Sequence, residues 1–181
     1  MRLYLLASLA FLFYGSIAST VIRAKPNVVI FFTDDQGTLD AGCYGAPHLK
    51  TPHIDQLAET GVRFTQAYAH TVCCPSRAMM MTGRHPQRGG VNHWTQGNMN
   101  TPKGRNMSLE ELTMAEVLKR EGYRTALFGK WHLGAHQDHG PKKQGFDEFF
   151  GIRNGFIDNF NHHFLHQTGY HDLYEGTTPL K

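Results

Sequence analysis

Apolar and polar residues fall in blocks along this chain, and the blocks predict its elements. Leu3 to Tyr14 is an almost unbroken apolar run behind Met1-Arg2, and Ser16-Ile17-Ala18 supplies small residues after it. That order predicts a secretory signal peptide over residues 1–18, cut after Ala18. The alternative, an uncleaved membrane anchor, needs a longer apolar stretch than this one. The next block, Asn27-Val28-Val29-Ile30-Phe31-Phe32-Thr33, is continuous, apolar and β-branched. It predicts a strand covered on both faces, as in a parallel sheet. It closes on Asp34-Asp35-Gln36-Gly37. In open α/β sheets, ligands gather outside such carboxyl ends of strands.

Further along, Thr51 to Gly61 predicts a short helix with Pro52 near its start and Gly61 at its stop. Val62 to Ala69 is strand-like, and Pro75 to Met81 fits the first turns of another helix. Ser108-Leu109-Glu110-Glu111 has the spacing of a capping box, predicting a helix through Arg120 with Leu112, Ala115, Val117 and Leu118 as its apolar stripe. Gly122 ends it, and Tyr123 to Phe128 predicts a strand. Residues 83–106 are rich in Gly, Asn, Gln and Pro and predict a long surface loop. Strands and helices in alternation argue for the α/β class, with a mostly parallel sheet flanked by helices.

Composition narrows this only a little. At 181 residues, 40% hydrophobic and 18% charged, the chain is of globular type. A net charge of +3 without a basic run gives no case for nucleic acid. No segment after the first is apolar and long enough to span a membrane. The three cysteines are Cys43, Cys73 and Cys74. An odd count in an exported chain calls for an explanation, and the state of Cys43 and Cys74, free or paired, is left open.

Three constellations carry chemistry. Asp34 and Asp35 are adjacent acids, costly to bring together without a cation. A hard divalent ion, calcium or magnesium, answers that cost; a solvated turn or a helix cap is the plain alternative. Cys73 lies where the chain enters a helix, whose N–H groups favour an anion, and Arg77 follows one turn later. Cys73-Cys74-Pro75-Ser76-Arg77, closed by Met81-Thr82-Gly83-Arg84, is too detailed a pattern for a mere buried thiol and surface arginine. The third is Gly129-Lys130-Trp131-His132-Leu133-Gly134. Lysine neutralises an anionic ester, and histidine exchanges protons near neutral pH. The two share a side if the backbone stays extended.

These three matches, in this order, resemble the sulfatases of the alkaline-phosphatase superfamily. The similarity runs from Pro26 to near the C-terminus, with Gln144-Gly145-Phe146-Asp147 and Asp172-Leu173-Tyr174-Glu175 as less specific family text. The resemblance implies that residues 19–181 form the N-terminal part of a sulfatase catalytic domain, an alkaline-phosphatase-like sandwich. It implies that a formylglycine-generating enzyme oxidises Cys73 to formylglycine, and that Asp34, Asp35 and the oxygen at Cys73 bind calcium. Arg77 would serve the formylglycine and metal environment, Lys130 and His132 would contact the substrate, and His132 would help regenerate the aldehyde. The hydrated aldehyde would attack sulfur with one hydroxyl and expel sulfate with the other. The implied reaction is hydrolysis of a sulfated small molecule or carbohydrate by a secreted, periplasmic or lysosomal enzyme. A phosphodiesterase or phosphonate hydrolase of the same superfamily is the rival enzyme, and a non-catalytic remnant the rival of another class. The family's further acidic and amide metal ligands, and its later histidine and lysine, match no residue of this chain.

The remaining histidines are weaker signals. His132 and His136, and likewise His162 and His166, have i, i+4 spacing, with His163 and His171 close by. Zinc sites use that spacing on helices, but Gly134, Gly140 and Pro141 make the first region poor helix. The second group is an alternative lining for a sugar-sulfate pocket.

Overall fold

In the computed structural model, residues 24–95, 101–164 and 169–180 are described. The predicted signal peptide therefore lies outside the described residues. The chain divides into two compact units, Met1–Gln36 and Gly37–Lys181. Among the described residues no helix is long and apolar enough to cross a membrane.

In the first unit, residues 27–33 form no strand. Val29 and Phe31 are exposed. The expectation of a strand there is corrected: an apolar β-branched run suits a pleated surface, but a strand also needs a neighbouring segment to complete its ladder. The same correction applies to residues 62–69, whose Val62, Phe64 and Tyr68 are exposed.

Among its described residues, the second unit holds three α-helices, five short 3-10 helices and a mixed sheet. Helix α1, Pro52–Thr60, starts with Pro at its first position as the pattern predicts. Asp55 anchors it by accepting the Cys43 N–H (2.6 Å) and the Thr51 hydroxyl (3.0 Å). Helix α2 is Cys73–Thr82. Helix α3, Met114–Arg120, begins later than expected. The working capping box is Thr113 with Glu116: the Glu116 N–H donates to the Thr113 hydroxyl (3.2 Å), and the Thr113 N–H donates to the Glu116 carboxylate (2.8 Å). The Ser108–Glu111 box loses because both carboxylate oxygens of Glu111 accept from Arg84, at 2.7 and 2.9 Å. Of the expected stripe, Ala115 is buried while Leu112 and Val117 are exposed.

Strand β1 is Ala126–Lys130, shifted toward the C-terminus from the expected 123–128. It pairs in parallel with β2, Glu148–Ile152. β2 continues antiparallel to β3, Tyr174–Glu175, which turns into β4, Thr178–Pro179. The α/β class with an open sheet holds; the described strands give one parallel and two antiparallel pairs, in the order β1-β2-β3-β4. Gly151 explains how closely β1 and β2 approach: a Cβ there would fall 1.9 Å from the Gly129 carbonyl oxygen.

The core joins α2 to the segment after β1. Cys74, Ala78 and Met81 pack with Val91, Met107, Ala115, Trp131, Leu133 and Phe146. Trp131 meets Phe146 edge-on, with ring centres 6.1 Å apart, and donates its indole N–H to the His139 carbonyl (2.9 Å). Residues 83–106 are therefore not simply a surface loop: Val91 enters this core, and Thr95 is buried too.

Asp147 ties α3 to the start of the sheet. Its carboxylate accepts from Lys119 (2.5 Å), from the Thr125 N–H (3.0 Å) and from the Thr125 hydroxyl (3.1 Å). The Lys119 hydrogen bond, then the Thr125 N–H, hold its pKa down to about 2, from an ordinary 3.8. A folded value below the unfolded one stabilises the fold above the unfolded pKa, and that contribution fades as pH falls through the folded value. Asp147→Asn should therefore lower the urea midpoint near neutral pH, and the gap to the parent should close on acidification toward about pH 2. A gap that stays constant across that titration would remove the charge from the account.

Candidate active site

The first turn of α2 carries the cysteine pair. Val72 precedes it in extended conformation, and no side chain caps the helix. Ser76 fixes the entry instead. Its hydroxyl accepts the His70 N–H (3.0 Å) and donates to the Val72 carbonyl (2.9 Å). Pro75 costs nothing in this turn, where N–H groups have no intrahelical acceptor. At the far end Gly83 takes the left-handed conformation, φ 65°, and its N–H caps Met79 (2.8 Å).

Arg77 points inward from α2 and is only 6% exposed. Its guanidinium donates to the Lys130 carbonyl at 2.6 Å. That charge-assisted bond joins the helix to the last residue of β1. Two residues on, His132 has φ +56°, a rare backbone state for a residue with a side chain. It is held there from both sides. Its N–H donates to the Arg153 carbonyl (3.1 Å), and its carbonyl accepts the Thr95 hydroxyl (2.7 Å). Because the chain leaves the extended state at His132, the same-side argument for Lys130 and His132 does not carry over.

Thr95 also links His132 to the cysteines. Its N–H donates to the Cys74 sulfur at 3.1 Å, and its hydroxyl lies 3.5 Å from the same atom. Burial pushes the Cys74 thiol pKa up, against these hydrogen bonds, which favour the thiolate. Cys73 is half-buried and Cys74 fully buried. The two sulfurs and a ring nitrogen of His132 lie within 4.8 Å of one another. All three cysteines, Cys43 included, are free thiols, which resolves the question of pairing.

A second buried group supports the His132 turn. Asp172, with no exposed surface, accepts the N–H groups of Arg153 (3.3 Å) and Asn154 (2.9 Å). The Asn154 amide donates to the Tyr170 hydroxyl (2.6 Å), and the Arg153 guanidinium lies 3.9 Å above the Tyr174 ring. Burial raises the pKa of Asp172 and Tyr170 and lowers that of Arg153. Gly155 follows, flat against the imidazole: a Cβ there would come 2.3 Å from Cε1 of His132.

The sequence-predicted residues thus divide. Cys73, Arg77, Lys130 and His132 are connected through the contacts above. Asp34 and Asp35 belong to the first unit, where both are exposed and Asp35 has φ +54°. As Gly134, Gly140 and Pro141 led one to expect, residues 132–136 are not helical, and His136 faces Asp138 at 3.3 Å. His166 lies outside the described residues. His171 contacts both His162 and His163, with ring centres 5.8 and 5.3 Å apart. Burial, then His163 and His162, lower its pKa. An open depression of about 650 Å³, lined by Gly42, Cys43, Asp55 and Arg63 among others, includes none of the predicted site residues.

Thr95, Gly155 and the clamp at Asp172 were not singled out from the sequence. Asp172 stood only as part of a longer match, and nothing in the order of residues ties Thr95 to Cys74 or Gly155 to His132.

The family model described as Sulfatase matches residues 26–173. The chain belongs to the sulfatase family. It is 41% identical to human steryl-sulfatase over 150 residues, covering 78% of this chain and 26% of that protein. Its fold is similar to that of a Bacteroides thetaiotaomicron sulfatase solved in a study of glycosaminoglycan metabolism. The TM-score is 0.68 at 34% identity, over 86% of this chain and 32% of that one. It is also similar to Ps i-CgsB, solved in complex with k-i-k-neocarrahexaose, with a TM-score of 0.65 at 35% identity over 71% and 28% of the two chains. This sulfatase-family chain spans about a quarter of the length of the curated relatives it matches.

The clamp can be tested on stability alone. Asp172→Ala leaves two buried N–H groups without their acceptor and should cost about 3 kcal/mol in urea unfolding. Asp172→Asn keeps one carbonyl acceptor and should cost less. Equal losses would show that the retained carbonyl acceptor contributes nothing and would sink the hydrogen-bond account.

Proposed function

We propose that the protein is an arylsulfatase-like sulfuric ester hydrolase whose nucleophile is made from Cys73. The observation that carries this reading is the convergence of Cys73, Arg77 and His132, brought together by Arg77 on the Lys130 carbonyl and by Thr95 between Cys74 and His132. Membership of the sulfatase family supports it.

Each residue then has a physical task. Lys130 at the end of β1 offers an ammonium to the sulfate group. Arg77, fixed and nearly water-free, adds a permanent positive charge beside Cys73. His132 is the proton carrier, because imidazole alone of these groups exchanges protons near neutral pH. Its pinned backbone and the face of Gly155 limit how far its ring can turn. The first turn of α2 presents N–H groups to an anion.

The donor chemistry of Asp34 and Asp35 fits calcium, which takes hard oxygen ligands. The two consecutive carboxylates would supply oxygens to that ion. When present, the formylglycine supplies the attacking oxygen and the calcium neutralises charge around it. The two thiols and imidazole at Cys73, Cys74 and His132 are a soft set and do not fit calcium.

The substrate class in this proposal is a sulfated small molecule or carbohydrate; the oligosaccharide held by Ps i-CgsB favours carbohydrate. A formylglycine-generating enzyme is the maturation partner, and residues 1–18 direct export.

Co-expression with such an enzyme, followed by mass spectrometry of the peptide covering residues 71–77, tests the carrying observation. An aldehyde at position 73 is expected, and a chain that keeps only thiol there overturns the reading. In the matured protein, Cys73→Ser should abolish sustained hydrolysis of an aryl sulfate, because a serine ester has no second hydroxyl with which to expel sulfate. Lys130→Ala should lower kcat/KM about 100-fold.

A further inference from the structure

The cluster at Cys73, Cys74 and His132 has a chemistry that the hydrolytic reading does not use. Two sulfurs and an imidazole nitrogen, from residues on α2 and just beyond β1, lie within 4.8 Å of one another. A tetrahedral zinc centre with Zn–S near 2.3 Å and Zn–N near 2.0 Å sets its ligand atoms about 3.5–3.8 Å apart. Closing the remaining distance takes about 1 Å of side-chain movement, within reach of small χ1 changes at the cysteines.

The surroundings are those of a built site. Cys74 has no exposed surface, and His132 is 8% exposed. The Thr95 N–H already points at the Cys74 sulfur (3.1 Å), a contact that stabilises a thiolate, and the Thr95 hydroxyl fixes the His132 backbone (2.7 Å). Gly155 lies against the imidazole face and limits its swing. Cys73, half-buried, leaves a route in from solvent. Three protein ligands leave one tetrahedral position for water.

We propose that the folded chain retaining its Cys73 thiol binds one soft divalent ion, zinc being the natural candidate, through Cys73, Cys74 and His132. Binding replaces the two thiol protons, which pass to solvent. The metal site depends only on the thiols and imidazole. Its restriction to immature chain rests on the reading above, since conversion of Cys73 to an aldehyde removes one of three ligands. Zinc would then mark and hold the unconverted state, keeping the Cys73 sulfur bound and away from oxidants.

The experiment uses the full chain, purified under reducing and chelating conditions from cells without a formylglycine-generating enzyme, with thiol at position 73 verified by mass. Cobalt(II) is titrated anaerobically as the probe. Expected are one equivalent of tetrahedral cobalt, a thiolate-to-cobalt charge-transfer band, and displacement of both signals by zinc. Cys73→Ser and Cys74→Ser should each lose the two-thiolate band, whereas Cys43→Ser should keep it. Thr95→Val should weaken binding about tenfold. Circular dichroism of every variant separates ligand loss from unfolding. If Cys74→Ser does not fold, Cys73→Ser and the zinc competition still decide. Absence of the charge-transfer band, or its persistence in a folded Cys73→Ser variant, overturns the proposal. A cobalt band in thiol chain, together with no aldehyde in the co-expressed chain, would uphold the metal site and sink the hydrolytic reading. A matured chain with aldehyde, whose thiol form gives no band, would do the reverse.

Discussion

The hydrogen bond from the Arg77 guanidinium to the Lys130 carbonyl is the contact on which the rest of the site depends. It spans 53 residues of sequence and 2.6 Å of space. A guanidinium this buried keeps its charge and must find acceptors inside the protein. The carbonyl at the end of β1 is one of them. Through it, the first turn of α2 is set beside the turn that follows the strand, and Cys73 comes within reach of His132. The apolar side of the same helix, Cys74, Ala78 and Met81, packs on Trp131 and Leu133. One element thus supplies both the grease and the charge of the junction.

The His132 turn shows how a strained backbone is kept. A positive φ at a residue with a Cβ costs about 1–3 kcal/mol and lasts only where its neighbours over-determine it. Here Arg153 holds the N–H, Thr95 holds the carbonyl, and Gly155 makes room for the ring. Asp172 in turn holds Arg153 and Asn154 by their N–H groups. A buried carboxylate is a demanding acceptor, so it specifies the loop more sharply than a neutral group would. The chemistry proposed for His132 and the stability contributed by Asp172 therefore rest on one network.

Hard and soft donors are separated along the chain. Asp34 and Asp35 offer oxygens alone, whereas Cys73, Cys74 and His132 offer sulfur and nitrogen. In the proposed maturation the Cβ of Cys73 becomes an aldehyde and its sulfur is lost, which would convert the second group from a soft set to a mixed one and change which ion it prefers. Under that proposal Cys73 would take part in different coordination chemistries before and after conversion.

Much was legible from the order of residues. Cys-x-Pro-Ser-Arg, Gly-Lys-x-His and the Asp-Asp pair named the family, and Pro52 and Gly61 bounded a helix, because these signals act within a turn or two of chain. The strand expected at 27–33 was not found, since an apolar run states a wish for burial but not which neighbour will satisfy it. The capping box moved from Ser108 to Thr113 because Arg84, far off in sequence, claimed Glu111. By itself, the sequence determined the chemical types present and the local starts and stops. Only the tertiary structure decided that Thr95, Gly155 and Asp172 serve His132, because hydrogen bonds and van der Waals contacts depend on distance in space, which chain order alone does not set.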